Sequence, residues 1–363
     1  MNTLQLSDAV RNQISNPRPD AEKLAAVIQG EAKPNKVHLG ELIINNGVIQ
    51  WVMENVLERE WVPLPEDGNR EQMKRHLLCL VEYWYRMGYD YIRISGGLAF
   101  PIKQAEGRGS WADEHSGMIS NWEEFEQYKW PEVQEEDLWH YEFVADNLPG
   151  GMGMMVCPTS GFLEMPMNYL FGIENLSLLL FDQPDLVEEV FNRVRKAILD
   201  TYARLVEFPK VMGIFQGDDM GYKASTMFSP EFLKKHSLPG HQQAARMAHE
   251  KNLIYILHSC GNLSGIMDYL IEDIHIDAKH SYEDVIEPVE SIFDKYGGRI
   301  GIVGGIDLNY LAGGSEEDVR GRTRQVLEHC MPGRYLLGSG NSISGYCKPE
   351  NVLAMYDEAY QFM

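Results

Sequence analysis

Short apolar runs rich in β-branched residues alternate along this chain with longer stretches whose apolar positions recur every three to four residues. The short runs lie at 37–44, 91–95, 152–157, 211–215, 253–258, 274–279, 300–303 and 335–338. Continuous apolar runs bounded by polar or Gly-containing segments read as buried strands. The stretches between them read as helices. In 70–87, Met73, Leu77, Leu80, Val81 and Trp84 fall on one stripe, as a core-facing helix requires. Strands alternating with helices imply βαβ units and a parallel sheet. Eight such units predict a closed (β/α)8 TIM barrel, with a doubly wound open sheet as the alternative.

Helix ends are legible too. Ser229-Pro230-Glu231 supplies an N-cap followed by proline at the first helical position. Ser315 with Asp318 resembles a capping box, and 283–296 stops at Gly297-Gly298. A helix over 349–362 completes the pattern. Residues 1–36 form a polar N-terminal extension with a helix near 21–29, and 37–363 form the barrel. Within the barrel, 101–150 is an insertion carrying Trp111, Trp122, Trp130 and Trp139 among acidic residues. It reads either as a lid or as a structural apron with its own aromatic core. The Met- and aromatic-rich stretch 159–171 reads as core packing that can also line an apolar pocket wall.

Composition narrows the class. The 363 residues are 44% hydrophobic without low complexity, which is enough chain to bury a large core. The apolar run near 176–181 is too short to span a bilayer, and the N-terminus lacks the pattern of a signal peptide. Five scattered cysteines form no disulfide framework, so a reducing cytoplasm is expected. The net charge of -22 disfavours nucleic acid and anionic membranes as partners.

In such a barrel the chemistry sits where strands end. Polar residues replace apolar ones there at nearly every strand. His258-Ser259-Cys260 places an imidazole and a thiol two residues apart, a pairing that suits zinc; a capped histidine beside a packed cysteine is the bland alternative. Asp218, Asp219, Glu41 and Asp307 put carboxylates at other mouths, where they can serve as acid, base or ligand, or simply cap turns. His280 joins Glu41, Asp218 and Asp219 as a catalytic candidate. Gly97, Lys279, Asp307 and Asn341 are candidates for contact with substrate. Gly96-Gly97 and Gly304-Gly305 permit close backbone approach to a ligand, and tight turns explain them equally well.

Taken together, several motifs resemble the uroporphyrinogen decarboxylase superfamily. They are Gly161-Phe162 with Leu170-Phe171-Gly172, Gly217-Asp218-Asp219, the run Leu257 to Asn262, Gly304-Gly305-Ile306-Asp307, and Gly338-Ser339-Gly340-Asn341 leading to Pro349-Glu350-Asn351-Val352. The resemblance implies a (β/α)8 barrel and one of two chemistries. One is cofactor-free decarboxylation of uroporphyrinogen. The other is zinc-dependent methyl transfer involving a corrinoid protein. In the corrinoid-linked branch the zinc motif is His-x-Cys plus a later Cys near the last strand. His258 and Cys260 match the first two positions, and Ser339 stands where the third is expected. Cys347, in the same loop, is the candidate replacement, with Glu41, Asp218 or Asp219 as further options.

The decarboxylases share a Gly-Arg segment after the first strand, where this chain reads His38-Leu39-Gly40-Glu41-Leu42. Four mouth carboxylates facing little more than Lys279 and Lys103 would repel a substrate with eight carboxylates. The expected activity is therefore methyl transfer between a small O- or N-methyl compound, or a thiol or folate acceptor, and a corrinoid protein. The expected substrate is neutral, cationic or metal-bound. Uroporphyrinogen decarboxylation and a non-catalytic small-molecule binding barrel are the alternatives.

Overall fold

The computed structural model describes residues 5–66, 68–102 and 117–362. Its centre is one parallel sheet of eight strands: β1 (His38–Leu39), β2 (Tyr91–Ser95), β3 (Gly153–Cys157), β4 (Val211–Gly217), β5 (Ile254–His258), β6 (Ala278–His280), β7 (Gly301–Val303) and β8 (Tyr335–Leu337). Their order is β1-β8-β7-β6-β5-β4-β3-β2, every neighbouring pair being parallel. The strand–helix alternation thus yields the parallel α/β architecture its pattern predicts.

Closure differs from the expectation. Among the described residues, β1 and β2 share no backbone ladder. The reason lies at Tyr91, whose hydroxyl donates to the Glu41 carbonyl at 2.8 Å and accepts from the Glu41 N–H at 2.9 Å. Those are groups that a rung between β1 and β2 would use, so the two edges stay without a ladder; β1 itself spans two residues where eight were expected. The seam carries side-chain bonds instead. Asp90, just before β2, holds His38 Nδ1 and Lys36 Nζ, each at 2.7 Å. A closed eight-stranded barrel becomes a curled eight-stranded sheet whose two edges are bridged by side chains.

Side chains on alternate strands meet inside the curl. Tyr91 of β2 and Phe215 of β4 have ring centroids 6.5 Å apart, and Phe215 lies 5.8 Å from His280 of β6. Contributions from alternate strands are how such interiors fill. Outside, Pro184–Leu205 buries Leu186, Val187, Val190, Phe191, Val194, Ile198, Tyr202 and Leu205, a helical stripe facing the sheet. Ser229 caps its helix through the Phe232 N–H, and Ser315 with Asp318 forms the expected capping box.

Boundaries also differ at β6 and at the helix before β7. The predicted strand over 274–279 is Ala278–His280, because Leu270–Ile274 is a π-helical turn. The helix predicted over 283–296 is Val289–Tyr296, starting after Pro288. In the 101–150 segment, Trp111 and Lys103 lie outside the described residues. The described aromatics there pack on one another: Trp122 on Phe125 (5.4 Å), Phe125 on Trp130 (5.4 Å) and Tyr128 on Trp130 (4.7 Å). These rings form a small aromatic cluster. No described helix is long and apolar enough to cross a membrane.

Candidate metal centre

Alternation along β4 and β5 decides which residues reach the mouth. On β4, Phe215 faces the interior, so Gly217 and Asp219 do as well, while Gln216 and Asp218 face the helices. On β5, His258 faces inward, and Cys260 follows two residues later in the loop. Asp219, His258 and Cys260 consequently converge, with one ligand atom from each lying within 4.8 Å of the others. His258 Nε2 is 3.4 Å from Asp219 Oδ1 and 3.6 Å from Cys260 Sγ. Asp219 Oδ1 also accepts the Cys260 N–H at 2.8 Å, which ties the two loops together.

Behind this cluster the hydrogen bonds fix where the protons sit. His280 Nε2 faces the Ser339 carbonyl at 3.2 Å, so that nitrogen carries a hydrogen. Burial, reinforced by the neighbouring His258, holds the His280 pKa well below its ordinary value and keeps the ring neutral. Its Nδ1 is then an acceptor, and His258 Nδ1, 2.8 Å away, donates to it. The lone pair of His258 is left on Nε2, aimed at Asp219 and Cys260. An acceptor at the other ring nitrogen fixes the tautomer of His258, as acceptors do for metal-ligating histidines, though here the acceptor is a second imidazole.

Asn341 Nδ2 donates to Cys260 Sγ at 3.1 Å. Burial and the Asp219 charge raise the Cys260 thiol well above its usual range. For Asp219, burial works against ionisation, while the hydrogen bond from the Cys260 N–H favours the carboxylate. Nitrogen, sulfur and oxygen donors from three residues beside an open cleft match the chemistry of a catalytic zinc site, with three protein ligands and one open position.

The cleft at this end of the sheet has a volume of about 530 Å³. Asp219, His258 and Asn341 form part of its wall, together with Gly96, Thr159, Ser160, Leu42 and Leu98. Two further charged residues line it. Arg93 rises from the middle of β2, and Glu164 comes from the segment after β3. Burial, then the charges of Asp218 and Asp219, push the Glu164 carboxyl up to about 8, so it is protonated at neutral pH. Neither residue was a candidate from sequence. The available signals were a charged residue between Ile92 and Ile94 in an otherwise ordinary strand, and an isolated acid in the run Gly161–Pro166.

Several expected site residues do not reach the cleft. Asp218 is fully buried; its oxygens accept the Leu163 and Glu164 N–H groups, Ser237 Oγ and His241 Nε2. Lys279 faces the helical shell, donating to the Ser259 and Ser281 carbonyls over the Tyr282 ring. Asp307 caps Leu308–Gly313 through the Asn309 N–H, as turn chemistry would have it. Gly97 takes φ +98° beneath Leu138 and is not part of the cleft wall. Cys347 is buried outside the cluster, and Asp219, one of the further options, lies with His258 and Cys260 instead. His280 touches His258, not the cleft, and is a positioning residue. The stretch 159–171 divides its roles: Phe162, Leu163, Met165 and Phe171 are core, while Thr159, Ser160 and Glu164 face the cleft.

Glu41 is also buried away from the cleft, and its role is structural. Its carboxyl accepts the Ser339 N–H and meets Ser339 Oγ at 2.7 Å. Ser339 Oγ also contacts the Asn341 carbonyl, and one hydroxyl proton cannot serve both oxygens. Burial raises Glu41 to about 8, so the acid proton goes to Ser339 and the serine proton to Asn341. Between pH about 4.5 and 8 the folded chain therefore retains a proton that the unfolded chain releases. Stability contributed by this group is full below that window and falls as pH rises, by at most about 1.4 kcal/mol per pH unit. Glu41→Gln mimics the protonated acid. In denaturant titrations at pH 5, 6.5 and 8, wild type should lose stability relative to Glu41→Gln as pH rises; a constant difference would refute the assignment.

Residues 122–362 match the family model described as uroporphyrinogen decarboxylase (URO-D). The chain belongs to the uroporphyrinogen decarboxylase family. No curated protein is matched by this sequence. Among solved structures, a methyltransferase from Methanosarcina mazei is similar with a TM-score of 0.69 at 16% identity, over 95% of this chain and 99% of that one. A Listeria monocytogenes structure described as a vitamin-B12-independent methionine synthase has a TM-score of 0.49 at 12% identity, over 90% of this chain and 96% of its own. The first of these likenesses shows that the fold of this URO-D family member is shared along nearly its whole length.

Proposed function

We propose that this URO-D family member is a zinc-dependent methyltransferase that moves a methyl group between a small O- or N-methyl compound, or a thiol or folate acceptor, and a corrinoid protein. The observation that carries the reading is the convergence of His258 Nε2, Cys260 Sγ and an Asp219 oxygen, with His258 and Asp219 on the cleft wall. A fold shared with the Methanosarcina mazei methyltransferase supports it. The three residues would hold zinc, and the ion would supply Lewis acidity at the methyl-bearing heteroatom or favour the thiolate form of a thiol acceptor.

The remaining work belongs to the chain. His280 and the Ser339 carbonyl keep the His258 lone pair directed at the site. Asn341 donates to the sulfur and stabilises negative charge there. Glu164, protonated and on the cleft wall, can deliver a proton to a heteroatom that has lost its methyl group. The cleft lies at the carboxyl ends of the strands, where a corrinoid protein can bring its cobalt up to the substrate.

Decarboxylation of uroporphyrinogen fits less well. Arg93 is the single cation among the described residues of the cleft wall, against eight substrate carboxylates. The test is to measure metal content after purification without added metal, then to assay O- and N-methyl compounds with a reduced corrinoid protein, and uroporphyrinogen in parallel. About one zinc per chain with methyl transfer is expected. Efficient decarboxylation, or metal far below one per chain, would overturn the reading.

A further inference from the structure

Arg93 changes the electrostatics of the cleft. Only one of the four carboxylates expected at the mouth, Asp219, lines it, and a half-buried guanidinium lies on the same wall. Alternation along β2 turns Tyr91, Arg93 and Ser95 inward together, with Ile92 and Ile94 outward. Arg93 Nε donates to the Phe215 carbonyl at 3.1 Å, and Cζ sits 5.9 Å from the Phe215 ring. That ring also meets His280 edge-on at 5.8 Å, and His280 supports His258. The guanidinium comes from β2, and the metal cluster from the ends of β4 and β5, two and three strands away around the same cleft.

Among the described residues, no carboxylate lies within ion-pair distance of Arg93, and Nη1 and Nη2 have no acceptor. Nε is thus the anchor, and the two terminal nitrogens are the free end of a fork. A half-buried cation without a counter-ion is unfavourable unless an anion arrives to complete it. Guanidinium geometry matches a planar carboxylate through two parallel N–H···O bonds. Leu42, Ile43, Leu98 and Pro158 supply apolar wall along the same cleft.

We infer that Arg93 is the anion-recognition residue of this cleft, and that the small substrate carries a carboxylate at the end opposite its methyl-bearing or methyl-accepting atom. This inference rests on the methyl-transfer reading for the second half of its statement only. It replaces the expectation of a substrate without negative charge, and it is compatible with rejection of a polycarboxylate, since one fork serves one anion.

The experiment uses the full-length chain and two matched probe pairs, benzoate with benzamide and 4-methoxybenzoate with 4-methoxybenzamide. Binding is measured by thermal-shift titration and calorimetry. Wild type should prefer each carboxylate over its amide by about 10- to 100-fold, the range of charge-assisted hydrogen bonds. Arg93→Gln should erase that preference and leave amide binding and zinc content unchanged. Arg93→Lys, which keeps charge but loses the fork, should retain part of it and controls for folding of the Gln variant. No carboxylate preference in wild type, or an equal preference in Arg93→Gln, would overturn the inference. Methyl transfer from neutral compounds as fast as from their carboxylated counterparts would also overturn it while leaving the parent reading intact. Carboxylate binding that depends on Arg93 in a protein without zinc or methyl transfer would do the opposite.

Discussion

Cys260→Ala should reduce bound zinc from about one per chain to well below that, and lower methyl transfer by about 100- to 10,000-fold with the fold retained. The sulfur is one of three converging donors, and its loss leaves two, too few for a stable site with an open position. The structural cost of the change is small. Cys260 is only partly buried, and its side chain contacts Asn341, His258 and Asp219 rather than the apolar core. His258→Ala should give the same loss of metal with an added stability penalty, because it strands the His280 Nδ1 acceptor in a dry interior. His280→Ala separates positioning from ligation. It leaves all three donors in place but frees the His258 tautomer, so a loss of about 10- to 100-fold in metal affinity is expected. Elemental analysis and zinc titration with a competing chelator read all three. If Cys260→Ala retained full zinc and activity, the assigned centre would be wrong.

How far the sequence could be read depended on whether the deciding contact was local. Strands such as β3 and β5 were placed to within a residue, because a buried parallel strand is a continuous apolar run with sharp polar ends. The open seam between β1 and β2 is not legible because the Tyr91 hydroxyl that occupies the Glu41 backbone comes from another strand. The start of β6 differs because Ile274 ends a helical turn, and the short run 274–279, in which Ile274 and Ile276 alternate with polar residues, does not by itself mark where the strand begins. At the site, His258 and Cys260 share a parity and were read as a pair. Lys279 and His280 do not share one: His280 meets Phe215 and His258 inside, and Lys279 turns to Tyr282 outside. Arg93 had the inward parity of Tyr91 but escaped notice, since the sequence does not say which face of β2 is interior. One inward residue per strand would have sufficed to sort every neighbour, and that anchor is a tertiary fact.

The same parity predicts that the adjacent carboxylates Asp218 and Asp219 will behave as opposites. Asp218→Ala should destabilise the chain by about 3–5 kcal/mol, the usual result of removing one partner from a buried charged network. It would leave the Leu163 and Glu164 N–H groups, the Ser237 hydroxyl and the His241 Nε2–H without their acceptor in a fully buried place. His241 is itself held by the Tyr255 hydroxyl at 2.7 Å, so an aspartate–histidine–tyrosine chain of catalytic appearance is sealed from solvent and serves to fasten the segment after β3 to β4. Asp218→Asn keeps an acceptor but no charge and should fall between. Asp219→Ala should cost only about 1–2 kcal/mol, the loss of the bond to the Cys260 N–H at a partly exposed position. Its effect should instead appear as lost zinc and lost methyl transfer. Denaturant unfolding and zinc stoichiometry, measured on both alanine variants, distinguish the two roles. A stable Asp218→Ala protein with lost zinc, or an unfolded Asp219→Ala protein, would reverse the assignment of which carboxylate builds the fold and which one faces the substrate.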